Sequence, residues 1–180
     1  MELIETCIPG VVIVQPRIFG DERGYFFESF SQRDFERQVC KTVFVQDNES
    51  KSCYGVVRGL HFQKPPYAQS KLVRVVKGRV LDVAVDIRKN SPTFGQWRSC
   101  LLTEENKRQF YVPEGFAHGF SVLSQEAVFA YKCTALYDPT DEGGIMYNDP
   151  QLNIDWQIPE GVEVLLSEKD KKHPGLDAWR

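Results

Sequence analysis

The sequence predicts an all-β fold, a sandwich or a closed barrel, and three features of the chain indicate it. Apolar and other residues alternate along short segments, most clearly over residues 81–87, where leucine, valine and isoleucine alternate with aspartate and alanine. Turn signals such as Gly-Asp, Pro-Pro and Asp-Pro recur between these segments. Helix signals are scarce. Many short strands at this spacing are typical of sandwiches and barrels.

The individual elements follow from the same signals. Residues Lys71 to Ile87 are predicted to form a β-hairpin that turns at Lys77-Gly78. The other predicted strands are Val11–Gln15, Tyr25–Phe30, Thr42–Gln46, Gly55–Leu60, Gln96–Leu102, Arg108–Val112, Gly119–Leu123 and Val128–Leu136. Two short helices are predicted to begin at Ser31 and Ser167, each followed by residues typical of a helix start.

Length and composition predict one globular domain over residues 1–180. The 180 residues are 42% hydrophobic and 26% charged, which is ordinary for a globular protein and excludes a disordered chain. The net charge of −3 argues against a nucleic-acid partner. The longest apolar run, residues 127–131, is far shorter than the roughly 20 residues of a membrane span, so we expect no membrane segment.

The cysteines indicate a reducing compartment. Five of them stand at positions 7, 40, 53, 100 and 133, an odd number without a Cys-x-x-Cys pair. This pattern fits reduced thiols better than a disulfide framework, and the first 15 residues lack the pattern of a signal peptide. We therefore expect a cytoplasmic protein.

Histidine is the first candidate for proton transfer, because its ordinary pKa lies close to neutral pH. The chain has only three, His61, His118 and His173. His61 and His118 stand among large apolar residues and are expected to point into a barrel, either as functional groups or as hydrogen-bonded core residues. His173, directly before Pro174, is expected to be exposed and inert.

The surroundings of two histidines resemble the two motifs of the cupin superfamily. A glycine and His61 share one predicted strand, and Pro113-Glu114-Gly115 precedes His118 in the spacing Pro-x-Gly-x-x-His. Metal-binding cupins carry His-x-His in the first motif, whereas Gln63 stands at the second position here. Two imidazoles fall short of the usual three protein ligands, so we expect no metal.

Longer motifs resemble one family, the dTDP-4-dehydrorhamnose 3,5-epimerases. They are FGDERGYFFES (19–29), QDN (46–48), RGLHFQ (58–63), DIR (86–88), SPTFGQW (91–97) and PEGFAHGF (113–120), in order over nearly the whole chain. The resemblance implies a cupin-type double-stranded β-helix, or jelly roll, with short flanking helices. It also implies a dTDP-sugar substrate, no cofactor and a homodimer.

The resemblance implies roles for individual residues as well. His61 matches the family's proton acceptor, Asp170 its carboxylate partner, Tyr131 the proton donor and Lys71 a lysine near the keto oxygen. Substrate-binding positions match Arg23, Glu28, Gln46, Asn48, Arg58, His118, Glu142 and Lys169, and Tyr137 matches the aromatic residue that stacks on thymine. Epimerisation next to a ketone needs such a base, an enolate stabiliser and an acid on the other face.

Several alternatives stay open at this point. Asp170 could merely cap the helix predicted at Ser167, and Asp82 is a rival partner for His61. Tyr131 and Tyr137 are six residues apart in a strand and are therefore expected on the same face, where they could simply be core aromatics. The protein could also be a single-position epimerase of antibiotic-sugar biosynthesis, a non-catalytic sugar-nucleotide-binding module or a metal-dependent cupin oxygenase, because fold alone does not decide function.

Overall fold

The structure, a computed structural model, describes residues 1–180 and consists mainly of antiparallel strands. The strands are β1 (Glu2–Glu5), β2 (Val12–Gln15), β3 (Phe19–Asp21), β4 (Gly24–Phe26), β5 (Gln46–Cys53), β6 (Val57–Gln63), β7 (Lys71–Lys77), β8 (Arg79–Asp86), β9 (Trp97–Thr103), β10 (Gln109–Val112), β11 (Phe116–Val122), β12 (Glu126–Cys133) and β13 (Glu142–Gly144). The helical elements are α1 (Gln32–Gln38) and two 3₁₀ helices, Asp170–Lys172 and Leu176–Trp179. No helix is both long and apolar enough to cross a membrane.

Two sheets face each other across the main core. One sheet has the order β1-β2-β10-β7-β12-β5, and the other has the order β13-β6-β11-β8-β9. Apolar side chains of both sheets fill the space between them, among them Val73, Phe110 and Phe129 from the first sheet and Val80 and Phe120 from the second. The architecture is the cupin-type jelly roll, which confirms the predicted fold class.

The predicted hairpin over Lys71 to Ile87 is wrong, because its two strands belong to different sheets. β7 pairs with β10 and β12, whereas β8 pairs with β9 and β11. The turn at Gly78 has φ +81°, and a Cβ there would overlap the carbonyl oxygen of Glu126. A sheet-crossing corner and a hairpin turn share the same local signal, so only the distant partner strands distinguish them.

Other element boundaries also differ from the prediction. Residues 42–45 have no regular structure, and the strand begins only at Gln46 and continues to Cys53. This polar segment was missed because its alternate residues are exposed and carry no apolar pattern. Helix α1 begins as predicted, with Ser31 Oγ accepting a hydrogen bond from the Asp34 N–H. At Ser167 only a short 3₁₀ helix follows.

The C-terminal segment covers the outer face of the second sheet. Leu60, Leu81 and Val83 on that face pack against Ile145 and Trp156. A second core therefore lies outside the barrel, and β8 is buried on both faces. The same segment forms a parallel bridge between Leu165 and Val56, directly before β6, and this brings Asp170 to the backbone of Gly59 in β6.

Candidate active site

A cavity of about 330 Å³ opens at one end of the barrel, between β6 and β13 on one side and β5, β7 and β12 on the other. It is lined by Gln46, Asn48, His61, Phe62, Gln63, Gln69, Lys71, Tyr131, Cys133, Tyr137 and Glu142. Seven of the residues predicted for the site, His61, Lys71, Tyr131, Gln46, Asn48, Tyr137 and Glu142, lie on this surface. Its lining therefore carries a base, an ammonium, a phenol, a carboxylate and amides.

His61 is hydrogen-bonded to Asp170 on one side of this cavity. Strand alternation buries Leu60 and Phe62 in the second core, so His61 between them faces the other way. A hydrogen bond of 2.6 Å joins His61 Nε2 to Asp170 Oδ1, across 109 residues of chain. The Asp170 side chain is 3% exposed and the His61 side chain 29% exposed, so only the imidazole reaches the cavity.

The carboxylate of Asp170 is held in its charged form. Burial opposes this, but the hydrogen bond from His61 and the N–H of Gly59 lower its pKa below the usual value. Ser167 Oγ, not Asp170, accepts the hydrogen bond at the helix start, from the Asp170 N–H at 3.1 Å. Asp170 Oδ1 instead pairs with His61, and Oδ2 accepts from the Gly59 N–H.

His118 has a carboxylate partner of its own. Its Nε2 lies 2.9 and 3.0 Å from the two oxygens of Asp82, and both side chains are buried in the barrel. Burial raises the pKa of Asp82, although the charge of His118 opposes the shift. Asp82 is thus not the partner of His61. His118, predicted to bind substrate, does not line the cavity.

Lys71 and Tyr131 approach the cavity from the first sheet. Tyr131 on β12 is opposite Asn48 on β5, and Lys71 on β7 is opposite Cys133 on β12. The Lys71 ammonium lies 5.9 Å from the centre of the Tyr131 ring. Burial lowers the pKa of Lys71 and raises the pKa of Tyr131. At neutral pH the phenol is therefore protonated.

Three predicted binding residues meet at the edge of the cavity. Tyr137 donates a hydrogen bond of 2.6 Å from its hydroxyl to Glu142, and Lys169 forms an ion pair with the same carboxylate. β12 ends at Cys133, so Tyr137 lies beyond the strand, and its side chain is 53% exposed. The prediction that Tyr131 and Tyr137 share one face of a strand is therefore wrong. An exposed ring at a cavity edge is free to contact a ligand.

Of the remaining predicted residues, Gln46 and Asn48 line this cavity, whereas the others do not. Gln46 donates to Asn48 and accepts from the backbone N–H of Tyr137. Arg58 is exposed on β6, where its Nε donates to Ser52 Oγ at 2.9 Å. Arg23 and Glu28 are absent from the cavity.

Arg23 is at the end of the β3–β4 hairpin. Its side chain is 90% exposed and pairs with Asp21. The hairpin also exposes Phe19, Tyr25 and Phe26, at 51%, 61% and 69%. This arm therefore presents a charged group and three aromatic rings to solvent.

The prediction for His173 is wrong, because its side chain is only 10% exposed and packs beside the His61–Asp170 pair. Its ring is 5.5 Å from the His61 ring, centre to centre, and its Nε2 is 3.4 Å from Asp170 Oδ1. No sequence signal marked the location of His173, apart from its being one of three histidines.

Gln63 stands at the position of a metal-binding histidine in other cupins. Its side chain instead donates hydrogen bonds to the carbonyls of Tyr67 and Leu136 and accepts one from the N–H of Asp138. These bonds fix the loop that carries Tyr137.

These groups form a set suited to proton transfer at carbon. An imidazole–carboxylate pair faces, across one cavity, a phenol that is protonated and an amine in a buried setting. Jelly-roll architecture and this set define a cupin-type protein with an acid–base site.

Comparison with known proteins narrows the class. The chain belongs to the dTDP-4-dehydrorhamnose 3,5-epimerase family, whose model matches residues 5–178. A dTDP-4-dehydrorhamnose 3,5-epimerase of Shigella flexneri is 57% identical over 171 residues, which are 94% of this chain and 93% of that protein.

Two solved structures superpose over most of the chain. The dTDP-6-deoxy-D-glucose-3,5-epimerase of Legionella pneumophila, in complex with dTDP-4-keto-L-rhamnose, is 53% identical with a TM-score of 0.94, over 98% of this chain and 93% of that one. A 3'-monoepimerase of Streptomyces bikiniensis, in complex with dTDP-quinovose, is 33% identical with a TM-score of 0.88, over 96% and 86%. Of these two proteins, the 3,5-epimerase is the more similar to this chain.

Proposed function

We propose that this protein is a cofactor-free sugar-nucleotide epimerase of dTDP-L-rhamnose biosynthesis. It converts dTDP-4-dehydro-6-deoxy-D-glucose to dTDP-4-dehydro-L-rhamnose by removing and returning protons at C3 and C5. The observation that carries the proposal is the 2.6 Å hydrogen bond between His61 and Asp170, beside a cavity that also contains Tyr131 and Lys71. The dTDP-sugars in the related structures support the substrate class.

His61 is the proposed base. Its Nε2 is engaged with Asp170, so the other ring nitrogen is the one that takes the proton from the carbon next to the keto group. The neighbouring carboxylate fixes the ring and stabilises the imidazolium that forms. A positioned base of this kind contributes roughly 10²- to 10⁴-fold to the rate.

Lys71 and Tyr131 are proposed to complete the proton transfer. Burial lowers the pKa of Lys71, so its ammonium proton is held less tightly and suits donation to the developing enolate oxygen. Burial raises the pKa of Tyr131, so the phenol keeps its proton until the enolate carbon accepts it. Base and acid belong to facing sheets, which fits removal on one face of the sugar and delivery on the other.

Substrate binding is proposed for the rest of the predicted set. Tyr137 stacks on the thymine ring, beside Glu142 and Lys169, and Gln46, Asn48 and Arg58 bind other polar parts of the dTDP-sugar. Arginine suits the diphosphate because its guanidinium forms two parallel hydrogen bonds. His118 acts indirectly in this scheme, since it is buried against Asp82.

We further propose that one domain, residues 1–180, works as a homodimer in the cytoplasm. The exposed aromatic rings of the β3–β4 arm favour burial against a second copy, in whose cavity Arg23 and Glu28 would meet the ligand. Five unpaired cysteines support the cytoplasmic location. Light scattering after gel filtration should give twice the 20.7 kDa chain mass, and a monomer that is fully active would contradict this proposal.

Proton NMR with dTDP-4-dehydro-6-deoxyglucose in D₂O tests the function. Deuterium at both C3 and C5, with inversion of both centres, is the expected result. Deuterium at a single centre would indicate a single-position epimerase, like the Streptomyces relative. Binding without deuterium at either centre would indicate a non-catalytic module.

A further inference from the structure

One buried nitrogen in this protein has no hydrogen bond. It is Nε2 of His173, the only buried side-chain nitrogen or oxygen without a partner. Asp170 Oδ1 is 3.4 Å away but does not meet hydrogen-bond geometry. An unsatisfied buried polar group destabilises the folded state, so its presence calls for a physical explanation.

The ring of His173 is fixed in this position by the backbone. The Met146 N–H donates to the carbonyl of Pro174 at 2.9 Å, which ties the segment to the chain after β13. Gly144, the strand partner of His61, lies directly beneath the ring, and a Cβ at that glycine would overlap three ring atoms. His61 and His173 are therefore held side by side, with Asp170 between them.

Three metal-ligating atoms converge at this point. One ligand atom from each of His61, Asp170 and His173 lies within 4.8 Å of the other two. His61 Nε2 is 2.6 Å and His173 Nε2 is 3.4 Å from Asp170 Oδ1. Ligands of one Zn²⁺ ion, bonded at about 2.0–2.2 Å, lie about 3–4 Å apart, so small side-chain rotations suffice. Two imidazoles and a carboxylate are also a donor set that Zn²⁺ prefers.

We propose that His61, Asp170 and His173 form a binding site for a divalent transition-metal ion, Zn²⁺ above all, and that the bound ion inhibits the enzyme. Inhibition rests on the proposed function, whereas binding does not. This site shares His61 with the usual cupin metal position, but Gln63 replaces the second histidine there, and Asp170 and His173 lie outside that motif.

The chemistry of the site explains why the ion would inhibit. Ligation uses the lone pair of His61 Nε2, so the proton that this nitrogen shares with Asp170 moves to Nδ1. The imidazole then has no free nitrogen for the substrate proton, and its carboxylate partner is bound to the ion.

Metal titration of the chelator-treated protein tests the binding. Co²⁺ should give a visible d–d absorption band that saturates at one ion per chain and disappears when Zn²⁺ displaces it. His173→Asn should weaken binding by about tenfold or more, and His61→Asn should do the same. The control His118→Asn, which removes the other buried imidazole, should leave Zn²⁺ affinity unchanged. Absence of Co²⁺ and Zn²⁺ binding, or full affinity in His173→Asn, would overturn the proposal.

A measurement on the unmodified protein avoids the question of whether the variants fold. With only three histidines, the imidazole signals in ¹⁵N NMR are few enough to follow individually. Zn²⁺ should shift the signals of His61 and His173 and leave those of His118 in place. Shifts confined to other residues would overturn the proposal.

The inhibition is tested by measuring the rate of deuterium incorporation with and without Zn²⁺, and the rate of each variant is normalised to its own metal-free rate. Zn²⁺ should stop deuterium incorporation by the wild type, EDTA should restore it, and His173→Asn should need at least about tenfold more Zn²⁺. Metal binding without any epimerase activity would refute the proposed function and leave the metal site standing. Epimerase activity unaffected by Zn²⁺ that is bound at these residues would overturn the inhibitory role.

Discussion

His61 and His118 lie directly opposite each other on β6 and β11, yet each imidazole has a carboxylate partner of its own. His61 is bonded to Asp170 of the C-terminal segment, and His118 to Asp82 of β8. Exposure separates the two pairs, since the His61 side chain is 29% exposed and that of His118 only 8%. The first pair can therefore contact a ligand, whereas the second is a buried group of the barrel.

Replacement of the proposed base should abolish the chemistry and leave the fold intact. His61→Ala is expected to lower α-proton exchange by roughly 10²- to 10⁴-fold, because Glu142, the other carboxylate of the cavity, is already engaged by Tyr137 and Lys169. Deuterium incorporation followed by NMR measures the rate, and circular dichroism confirms folding. Activity within a few-fold of wild type would refute the assignment.

The two aspartates provide a matched comparison. Asp170→Asn should lower turnover by about 10²-fold or more, because the amide no longer stabilises the imidazolium on His61. Asp82→Asn should retain more activity and lose mainly stability, since Asp82 is buried against His118. Turnover and thermal unfolding are measured for both variants. Equal losses of turnover in two folded proteins would show that the second pair also takes part in catalysis.

Tyr131→Phe should separate proton removal from inversion. The phenyl ring preserves the packing, so stability changes little, and His61 can still remove a proton and return one to the same face. In D₂O the variant should incorporate deuterium faster than it forms inverted product, whereas the wild type should show similar rates. Equal loss of both rates in a folded variant would instead assign the hydroxyl to enolate stabilisation, and unchanged rates would indicate a core aromatic.

Activity should survive dialysis against a strong chelator. The proposed reaction uses only side chains of this chain, and Gln63 is engaged with three backbone groups where other cupins bind metal. Turnover before and after EDTA treatment is the measurement. Activity that falls and returns with one divalent metal would indicate a metal-dependent enzyme.

Local patterns predicted most of this structure, and distant pairings account for what they missed. The alternation over residues 81–87 identified β8, but nothing local distinguished the corner at Gly78 from a hairpin. His61 and Asp170 are 109 residues apart, so only family resemblance suggested their pairing. His173 lacked even that support, since its burial depends on Gly144 and the covering C-terminal segment.

Asp86 should be a major contributor to stability near neutral pH. Its buried carboxylate accepts hydrogen bonds from Arg88 at 2.7 and 2.9 Å, and from the hydroxyls of Ser91 and Thr93 at 2.6 Å each. Burial alone would raise its pKa, but these bonds lower the pKa of Asp86 from 3.8 to about 2. The difference corresponds to about 2 kcal/mol of folding free energy.

The sign of this shift fixes its pH dependence. Because the folded-state pKa is depressed, the stabilisation is fully present above about pH 4 and is lost as the pH falls towards 2. Asp86→Asn removes the charge and turns an N–H towards the same donors, so it should lower the free energy of unfolding by about 2–3 kcal/mol at pH 7. The difference from wild type should shrink at pH 3. Denaturant unfolding at both pH values measures it, with Asp177→Asn on the surface as a control that should change stability by less than about 0.5 kcal/mol. A loss of the same size at both pH values would assign the effect to packing and hydrogen-bond geometry instead of to the charge.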